Sequence, residues 1–145
     1  MPKLEKISVQ IKTGDRDRAG TNGDVYIGIC GREFSLDSAD PGTNDFERNS
    51  DRTYILTGDS ATINVRYGIY NNPDRPYELF TENLDLCPVY IRFSPENRED
   101  NWNLESVTVI INDGEAQYAA LLGTDHLWLG THAGLYCYLF KSSFT

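Results

Sequence analysis

The sequence predicts an all-β fold, an antiparallel β-sandwich. Apolar residues alternate with polar ones in several short runs, which is the pattern of half-buried strands. Turn-forming clusters rich in Gly, Asn, Asp and Pro separate these runs, and no segment keeps a helical period for more than about two turns. The chain has 145 residues and shows no linker, repeat or low-complexity tract, so we expect one domain over residues 1–145.

Each alternating run is expected to turn one set of apolar side chains toward the core. The clearest inward set is Ile7, Val9, Ile11, Val25, Ile27, Val107 and Val109. The last run, residues 135–140, is apolar on both faces. The predicted strands lie at 7–11, 25–29, 63–69, 89–93, 107–111 and 135–140, with shorter candidates at 53–57, 117–122 and 127–129.

The charge of the chain restricts its partners. There are 22 acidic and 13 basic residues, which gives a net charge of −9. General nucleic-acid binding needs a basic surface and is therefore not expected. Simple electrostatic attraction to an anionic bilayer is also disfavoured, unless a bound divalent cation offsets the acidic excess.

Cysteine usage indicates no disulfide. Cys30, Cys87 and Cys137 cannot all pair within one chain, and no C-x-x-C spacing suggests a zinc or redox site. We expect core thiols that behave as small hydrophobic groups, so reductant should leave the unfolding midpoint unchanged.

Catalysis is not predicted from any residue. The only histidines, His126 and His132, have a spacing that matches no common metal site and are expected to be structural. Asp125 precedes His126, but no nucleophile motif such as G-x-S-x-G accompanies them. We therefore expect a protein that binds and is not an enzyme.

The expected location is the cytoplasm. Residues 1–6 lack the apolar core of a secretory signal, although a trimmed N-terminus would look the same. No run of about 18 apolar residues is present, so no transmembrane helix is predicted.

Three polar loops are the candidates for a site. The first covers residues 13–24, the second residues 44–51 and the third residues 94–102. They are rich in carboxylates, amides and glycines, and calcium prefers six to eight oxygen ligands that converging loops can supply.

These loops carry a resemblance to a known family. Residues 13–22, TGDRDRAGTN, resemble the opening of a PLAT (lipoxygenase-homology) domain, T-G-x-x-x-x-A-G-T-[DN]. Residues 44–48, NDFER, resemble the calcium loop of animal lipoxygenases, and 102–109, WNLESVTV, are similar to the family's W-x-L-x-x-V-x-V. The resemblance implies an eight-stranded, non-catalytic sandwich that docks a lipase, lipoxygenase or toxin onto a membrane or binds a protein partner.

The resemblance also implies calcium ligands. They would be backbone oxygen near Gly20 and Thr21 together with the side chains of Asn22, Asn44, Asp45 and Glu47. In an extended segment Asp45 and Glu47 point the same way and can face one ion, whereas Phe46 points oppositely and is expected to anchor the loop in the core. The family usually has Asp at the position of Asn22, so the site should be weak. A possible second site between the first and third loops would use Asp15, Asp17, Asn97 and Asp100.

Two departures from the family bear on its partner. The loop tips carry Arg16, Arg18 and Arg98 where membrane-docking members have apolar residues, so any lipid binding should be electrostatic and sensitive to salt. Residues 59–88 are longer than the family norm and rich in tyrosine, which suggests an added hairpin with its own partner surface.

Two other functions stay open at this point. One is a protein-interaction module whose loops fold without metal. The other is a carbohydrate-binding sandwich with structural calcium, in which Tyr and Trp side chains, Trp128 among them, would stack on sugar rings. Aromatic residues clustered on one exposed face would favour the sugar.

Overall fold

The computed structural model describes residues 2–58, 64–67, 70–124 and 126–142. These residues form ten strands and one short 3-10 helix, Thr81–Asp85. The strands are β1 Lys6–Thr13, β2 Asp24–Ile29, β3 Arg32–Ser35, β4 Asp51–Thr57, β5 Tyr90–Ser94, β6 Trp102–Ile111, β7 Ala116–Leu121, β8 Trp128–Leu129, β9 Tyr136–Tyr138 and β10 Phe140–Lys141. Two of the ten, β8 and β10, have only two residues, and the other eight form the body of the sandwich.

Two antiparallel sheets make up the sandwich, as the alternation predicted. The larger has the order β10-β7-β6-β1-β4, with β8 paired to the start of β6. The smaller has the order β3-β2-β5-β9. All strand pairs between the described residues are antiparallel.

The core lies between the sheets and contains the predicted inward set. Val9 of β1 faces Tyr54 of β4 on one side and Val109 of β6 on the other. The seven side chains predicted to point inward are each at most 1% exposed. These side chains share the buried face because successive residues of a strand point to opposite faces of the sheet.

Two hairpins depend on left-handed backbone. Cys30 and Gly31 join β2 to β3 with φ of 54° and 78°, the combination that a two-residue hairpin turn needs. Asn112 and Asp113 join β6 to β7 with φ of 47° and 59°. Strand β3 was not predicted, because its four residues contain one buried apolar side chain, Phe34, and therefore no alternation.

The segment 59–88 differs from the expected hairpin. Its predicted strand, residues 63–69, includes Ile63 and Ile69, which lie outside the described residues. Val65 makes one isolated bridge to Ser38, and Tyr67 is exposed. From residue 70 onward the described chain is irregular up to the 3-10 helix, which packs the buried Leu84 against the core.

Among the described residues, no helix is long and apolar enough to cross a membrane. The three cysteines are all free, with Cys137 buried and the other two partly buried. Burial raises the pKa of the Cys137 thiol, and burial together with nearby Cys87 raises the pKa of Cys30 to about 11.

Candidate functional site

The three polar loops meet at one end of the sandwich, which we call the loop end. The backbone N–H of Thr21 in the first loop donates to the carbonyl of Phe46 in the second at 2.9 Å. The N–H of Asn49 donates to the carbonyl of Gly14 at 3.0 Å and that of Thr13 to the carbonyl of Ser50 at 3.0 Å, so three backbone hydrogen bonds join the same two loops. The register of β1 against β6 shifts between Lys12 and Thr13, where the first loop begins. Irregularities of this kind change the direction of the chain and are common beside functional sites.

Gly20 allows the first two loops to touch through their backbones. A Cβ at this position would lie 2.7 Å from the nitrogen of Arg48, 2.9 Å from the oxygen of Phe46 and 3.0 Å from the Cα of Glu47. These neighbours are backbone atoms and cannot rotate away. The close approach therefore requires glycine here.

Aromatic packing holds the second loop onto the core. Phe46 is 4% exposed, and its ring lies 5.3 Å from the ring of Trp102 and 6.0 Å from that of Tyr54. Trp102 is fully buried and donates its indole N–H to the hydroxyl of Thr13 at 2.9 Å. Phe46 anchors the loop as the sequence predicted, and Trp102 belongs to the core.

An open depression lies where the loops meet, with a volume of about 470 Å³. We call it the loop depression. Its floor and rim combine side chains from all three loops with backbone near Gly20. The lining residues are Gly20, Thr21, Asn22, Asn44, Glu47, Arg48, Glu96, Asn97, Glu99 and Asp100.

Asp100 ties the third loop to the first. The hydroxyl of Thr21 lies 2.7 Å from both carboxylate oxygens of Asp100 and donates to this group. The same hydroxyl accepts the backbone N–H of Gly23 at 2.9 Å, and the carboxylate also accepts the N–H of Glu96 at 2.8 Å. These hydrogen bonds hold the third loop against the first.

Asp45 is not where the sequence reasoning expected it. We expected Asp45 and Glu47 to face one ion, because alternate residues of an extended segment point the same way. Glu47 does line the loop depression, but Asp45 does not. Its carboxylate accepts the hydroxyl of Tyr54 at 2.7 Å and the backbone N–H of Ser38 at 3.2 Å. Asp45 lies in a turn and directs its carboxylate to Tyr54 and Ser38, so it does not share the loop depression with Glu47 as expected.

The position of Asp45 has an electrostatic consequence. Burial raises the pKa of Asp37, and the nearby carboxylates of Asp45 and Asp24 raise it further against the opposing effect of Arg66. Burial, aided by Asp45, also raises the pKa of Tyr54 well above its ordinary value. Asp37 was not predicted from the sequence, because it follows a strand that shows no alternation.

Residues predicted for two different calcium sites partly line one depression. Asn97 and Asp100, assigned to the second site, line the same depression as Thr21, Asn22 and Asn44. The other two members of that second site lie elsewhere. Asp15 accepts the Nε–H of Arg48 at 2.9 Å on the surface, and Asp17 lies in an adjoining smaller depression that also contains Arg18 and Trp128.

The arginines predicted for partner binding stand at the loop tips. Arg16, Arg18 and Arg98 are exposed, and Arg18 has a left-handed backbone with φ of 61°. Over residues 13–24, 44–51 and 94–102 the loops carry nine carboxylates against four arginines, a net charge of −5. The loop end is therefore acidic with basic tips.

Glu96, Glu99 and Arg48 line the loop depression but were not among the predicted site residues. Both glutamates lie within the acidic third loop, so the density of carboxylates there was the signal that could have found them. Arg48 follows the NDFE string directly, and its ion pair with Asp15 could not be read from the sequence.

The donor chemistry of the loop depression suits calcium. Carboxylates, side-chain amides and backbone carbonyls are the ligands that calcium prefers, and the depression offers all three. In the described residues, however, no three His, Cys, Asp or Glu side chains are grouped closely enough to hold a metal ion. A cation would therefore have to draw the exposed Glu47, Glu96 and Glu99 together.

Comparison with known proteins identifies the class of this protein. The PLAT/LH2 domain family matches residues 7–121, which is most of the chain. The chain belongs to the PLAT/LH2 family, and the resemblance seen in its loop motifs is confirmed.

Two curated relatives are bacterial phospholipases. The chain is 30% identical over 138 residues to a phospholipase C of Clostridium haemolyticum, and 32% identical over 124 residues to a phospholipase C of Clostridium novyi. The matches cover 92% and 80% of this chain but 29% and 25% of the relatives. The chain thus corresponds to less than a third of each phospholipase.

Solved structures show the same fold. An alpha toxin from Clostridium absonum superposes with a TM-score of 0.61 at 26% identity, over 94% of this chain and 31% of the toxin. Coral 8R-lipoxygenase, whose structure is described as showing calcium activation via a C2-like domain, superposes with a TM-score of 0.57 at 20% identity, over 94% of this chain and 17% of the enzyme. The second likeness concerns the fold alone.

Proposed function

We propose that this PLAT domain is a non-catalytic binding module that uses calcium at the loop depression to associate with a phospholipid surface. The observation that carries the proposal is the convergence of three oxygen-rich loops in one depression, with arginines at the loop tips. Its relatives named phospholipase C act on phospholipids, and the coral lipoxygenase of the same fold is described as activated by calcium. Both features support a lipid-directed, calcium-dependent role.

The residues that would hold calcium are among the oxygen-bearing residues that line the loop depression. Asn22, Asn44 and Glu47 come from the first two loops, and Glu96 and Glu99 from the third. Asp100 is held by Thr21 and keeps the third loop in place beside them. Bound calcium would supply positive charge that offsets the acidic loops and allows an anionic phosphate to approach.

The arginines set the character of the lipid contact. Arg16, Arg18 and Arg98 project from the loop tips, and Phe46 and Trp102, the large aromatic residues of the loop motifs, are buried. No apolar side chain from these motifs is therefore offered to the hydrocarbon layer. Binding should be electrostatic and should weaken as salt shortens the screening length from about 10 Å at 0.1 M to about 3 Å at 1 M.

The first test measures calcium binding through stability. We expect a dissociation constant of roughly 10⁻⁴–10⁻³ M, as in other loop-built calcium modules, and about 2.7 kcal/mol of stabilisation at 100 times that concentration. Thermal unfolding in calcium and in EGTA checks this for the wild type, for Glu47→Gln and for Glu99→Gln. The matched control is Glu82→Gln, which removes one charge from the exposed 3-10 helix. Equal calcium gains in all four proteins would contradict the proposed site.

The second test measures lipid association by co-sedimentation. Vesicles of phosphatidylcholine, with and without phosphatidylserine, are incubated with the same proteins in calcium or EGTA. We expect calcium-dependent binding to the anionic vesicles that is lost at about 1 M salt. Binding that persists in EGTA would remove calcium from the proposal, and absence of binding to every vesicle would instead favour a metal-independent contact with a protein partner.

A further inference from the structure

The outer face of the smaller sheet carries a cluster of aromatic residues away from the loop depression. Strand pairing sets Tyr26 opposite Arg92, and Arg92 opposite Tyr136. It also sets Tyr90 opposite Tyr138. We call this surface the tyrosine face and define it by Tyr26, Glu33, Tyr90, Arg92, Tyr136 and Tyr138.

Tyr90 lies flat against the sheet. Its ring covers Gly28, and a Cβ on Gly28 would collide with three atoms of that ring. The hydroxyl of Tyr90 donates to Glu33 at 2.8 Å, which fixes the ring in its plane. The ring of Tyr90 therefore forms a rigid floor for the surface, and a ligand that binds on it would not have to immobilise this side chain.

Tyr136 and Tyr138 rise beside this floor. Their ring planes are inclined by 64° and 63° to Tyr90, at centroid distances of 5.4 Å and 6.1 Å. They are nearly parallel to each other, 11° apart, and are 46% and 56% exposed. Because they belong to β9, an edge strand of the smaller sheet, a ligand can approach them from the side as well as from above.

Charge on the tyrosine face is balanced internally. Arg92 donates to both carboxylate oxygens of Glu33 at 2.8 Å and 2.9 Å, and its guanidinium lies 4.1 Å from the ring centre of Tyr26. Arg92 lowers the pKa of Glu33, so the pair stays ionised at neutral pH. A neutral face on a protein of charge −9 complements an uncharged partner better than an ionic one.

We propose that the tyrosine face binds a neutral oligosaccharide, with a sugar ring stacked on the tyrosine rings and its hydroxyls bonded to the fixed polar groups beside them. A sugar ring presents an apolar C–H face and a polar rim, and tyrosine presents an apolar ring with a hydrogen-bonding tip. The paired Glu33 and Arg92 supply an acceptor and donors next to the rings without imposing a net charge. This function goes beyond calcium and lipid binding and uses none of the residues of the loop depression.

The test is a glycan array of neutral and acidic glycans, probed with the labelled protein in EGTA. We expect binding to neutral glycans, with a loss of roughly tenfold for each ring removed in Tyr136→Ala and Tyr138→Ala. The matched control is a Tyr70→Ala/Tyr77→Ala variant, which removes two tyrosines that are 76% and 79% exposed outside the tyrosine face.

Several results would overturn the proposal. Binding to no glycan, binding to acidic glycans alone, or binding that survives loss of both Tyr136 and Tyr138 would each do so. Sedimentation velocity of the same proteins detects the rival occupant, a second copy of this chain. A dimer that disappears in Tyr136→Ala and Tyr138→Ala, together with an empty array, would assign the face to self-association.

Discussion

The loop depression and the tyrosine face satisfy their polar groups in opposite ways. At the loop depression, the carboxylates of Glu47, Glu96 and Glu99 are exposed to solvent, and that of Glu47 forms a surface ion pair with Arg52 at 3.6 Å. On the tyrosine face, Glu33 and Arg92 neutralise each other within the same sheet. Under the proposed function, binding at the first region should depend on ions and salt, whereas the polar groups of the second region are bonded to each other within the sheet.

The two regions also differ in what lies beneath them. The loop depression rests on Phe46 and Trp102, which belong to the core, so its shape depends on the stability of the whole fold. The tyrosine face stands on the backbone of the smaller sheet, and its two most exposed rings contribute little to the core. Substitutions should therefore separate a stability effect at one region from a binding effect at the other.

The largest effect is expected for Trp102→Ala. This change removes a fully buried ring and its hydrogen bond to Thr13, and it should lower the free energy of unfolding by about 3–5 kcal/mol. Urea unfolding monitored by circular dichroism measures the change. Trp128→Ala is the control, because Trp128 is only partly buried, and should cost about 1 kcal/mol or less. Equal losses for the two variants would show that Trp102 does not anchor the loop end.

A smaller effect distinguishes Asp45 from Glu47. In EGTA, Asp45→Ala should lower the free energy of unfolding by about 1–3 kcal/mol, because the hydroxyl of Tyr54, a residue 2% exposed, loses its acceptor. Glu47→Gln should leave it nearly unchanged, since Glu47 is exposed.

A double-mutant cycle with Tyr54→Phe checks the reason for that difference. The combined Asp45→Ala and Tyr54→Phe protein should be more stable than the sum of the two single changes predicts, because neither partner is then left unpaired. If Asp45→Ala instead matches the wild type in EGTA and loses only the calcium gain, Asp45 is a calcium ligand after all.

The smallest effect is expected at alkaline pH. Burial, together with Glu33, raises the pKa of Tyr90 to about 12, and burial raises that of Tyr54 further. The folded protein therefore holds these phenol protons more tightly than the unfolded chain, whose tyrosines titrate near 10. The stability they contribute is complete below pH 10 and declines as the pH rises through 12.

Absorbance at 295 nm and thermal unfolding between pH 8 and 11 check this prediction. The phenols of Tyr54 and Tyr90 should stay protonated at pH values where the tyrosines of the unfolded chain are ionised. The decline in unfolding temperature should be shallower in Tyr54→Phe and in Tyr90→Phe. Uniform titration of all tyrosines near pH 10 would contradict the burial of these two phenols.

The sequence by itself determined the fold class, the inward set and the loops that contain the site. The alternation of apolar and polar residues is a local property of the sequence, so Ile7, Val9 and Ile11 could be assigned to one face of a strand without knowledge of the neighbouring strands. The string NDFE likewise indicated that Phe46 would anchor the second loop. The local pattern was sufficient because the burial of every second side chain fixes which face of a strand is turned toward the core.

Only the tertiary structure decided which polar groups line the loop depression and which side chains lie together on the outer face of the smaller sheet. Asp45 turns toward Tyr54 because the second loop bends there and a buried phenol needs an acceptor, which no local rule contains. Tyr90 meets Tyr138 because β5 pairs with β9 across more than 40 residues of chain, and strand order is set by packing between distant segments. The sequence therefore predicts that a side chain points outward, but the pairing of strands decides what stands beside it.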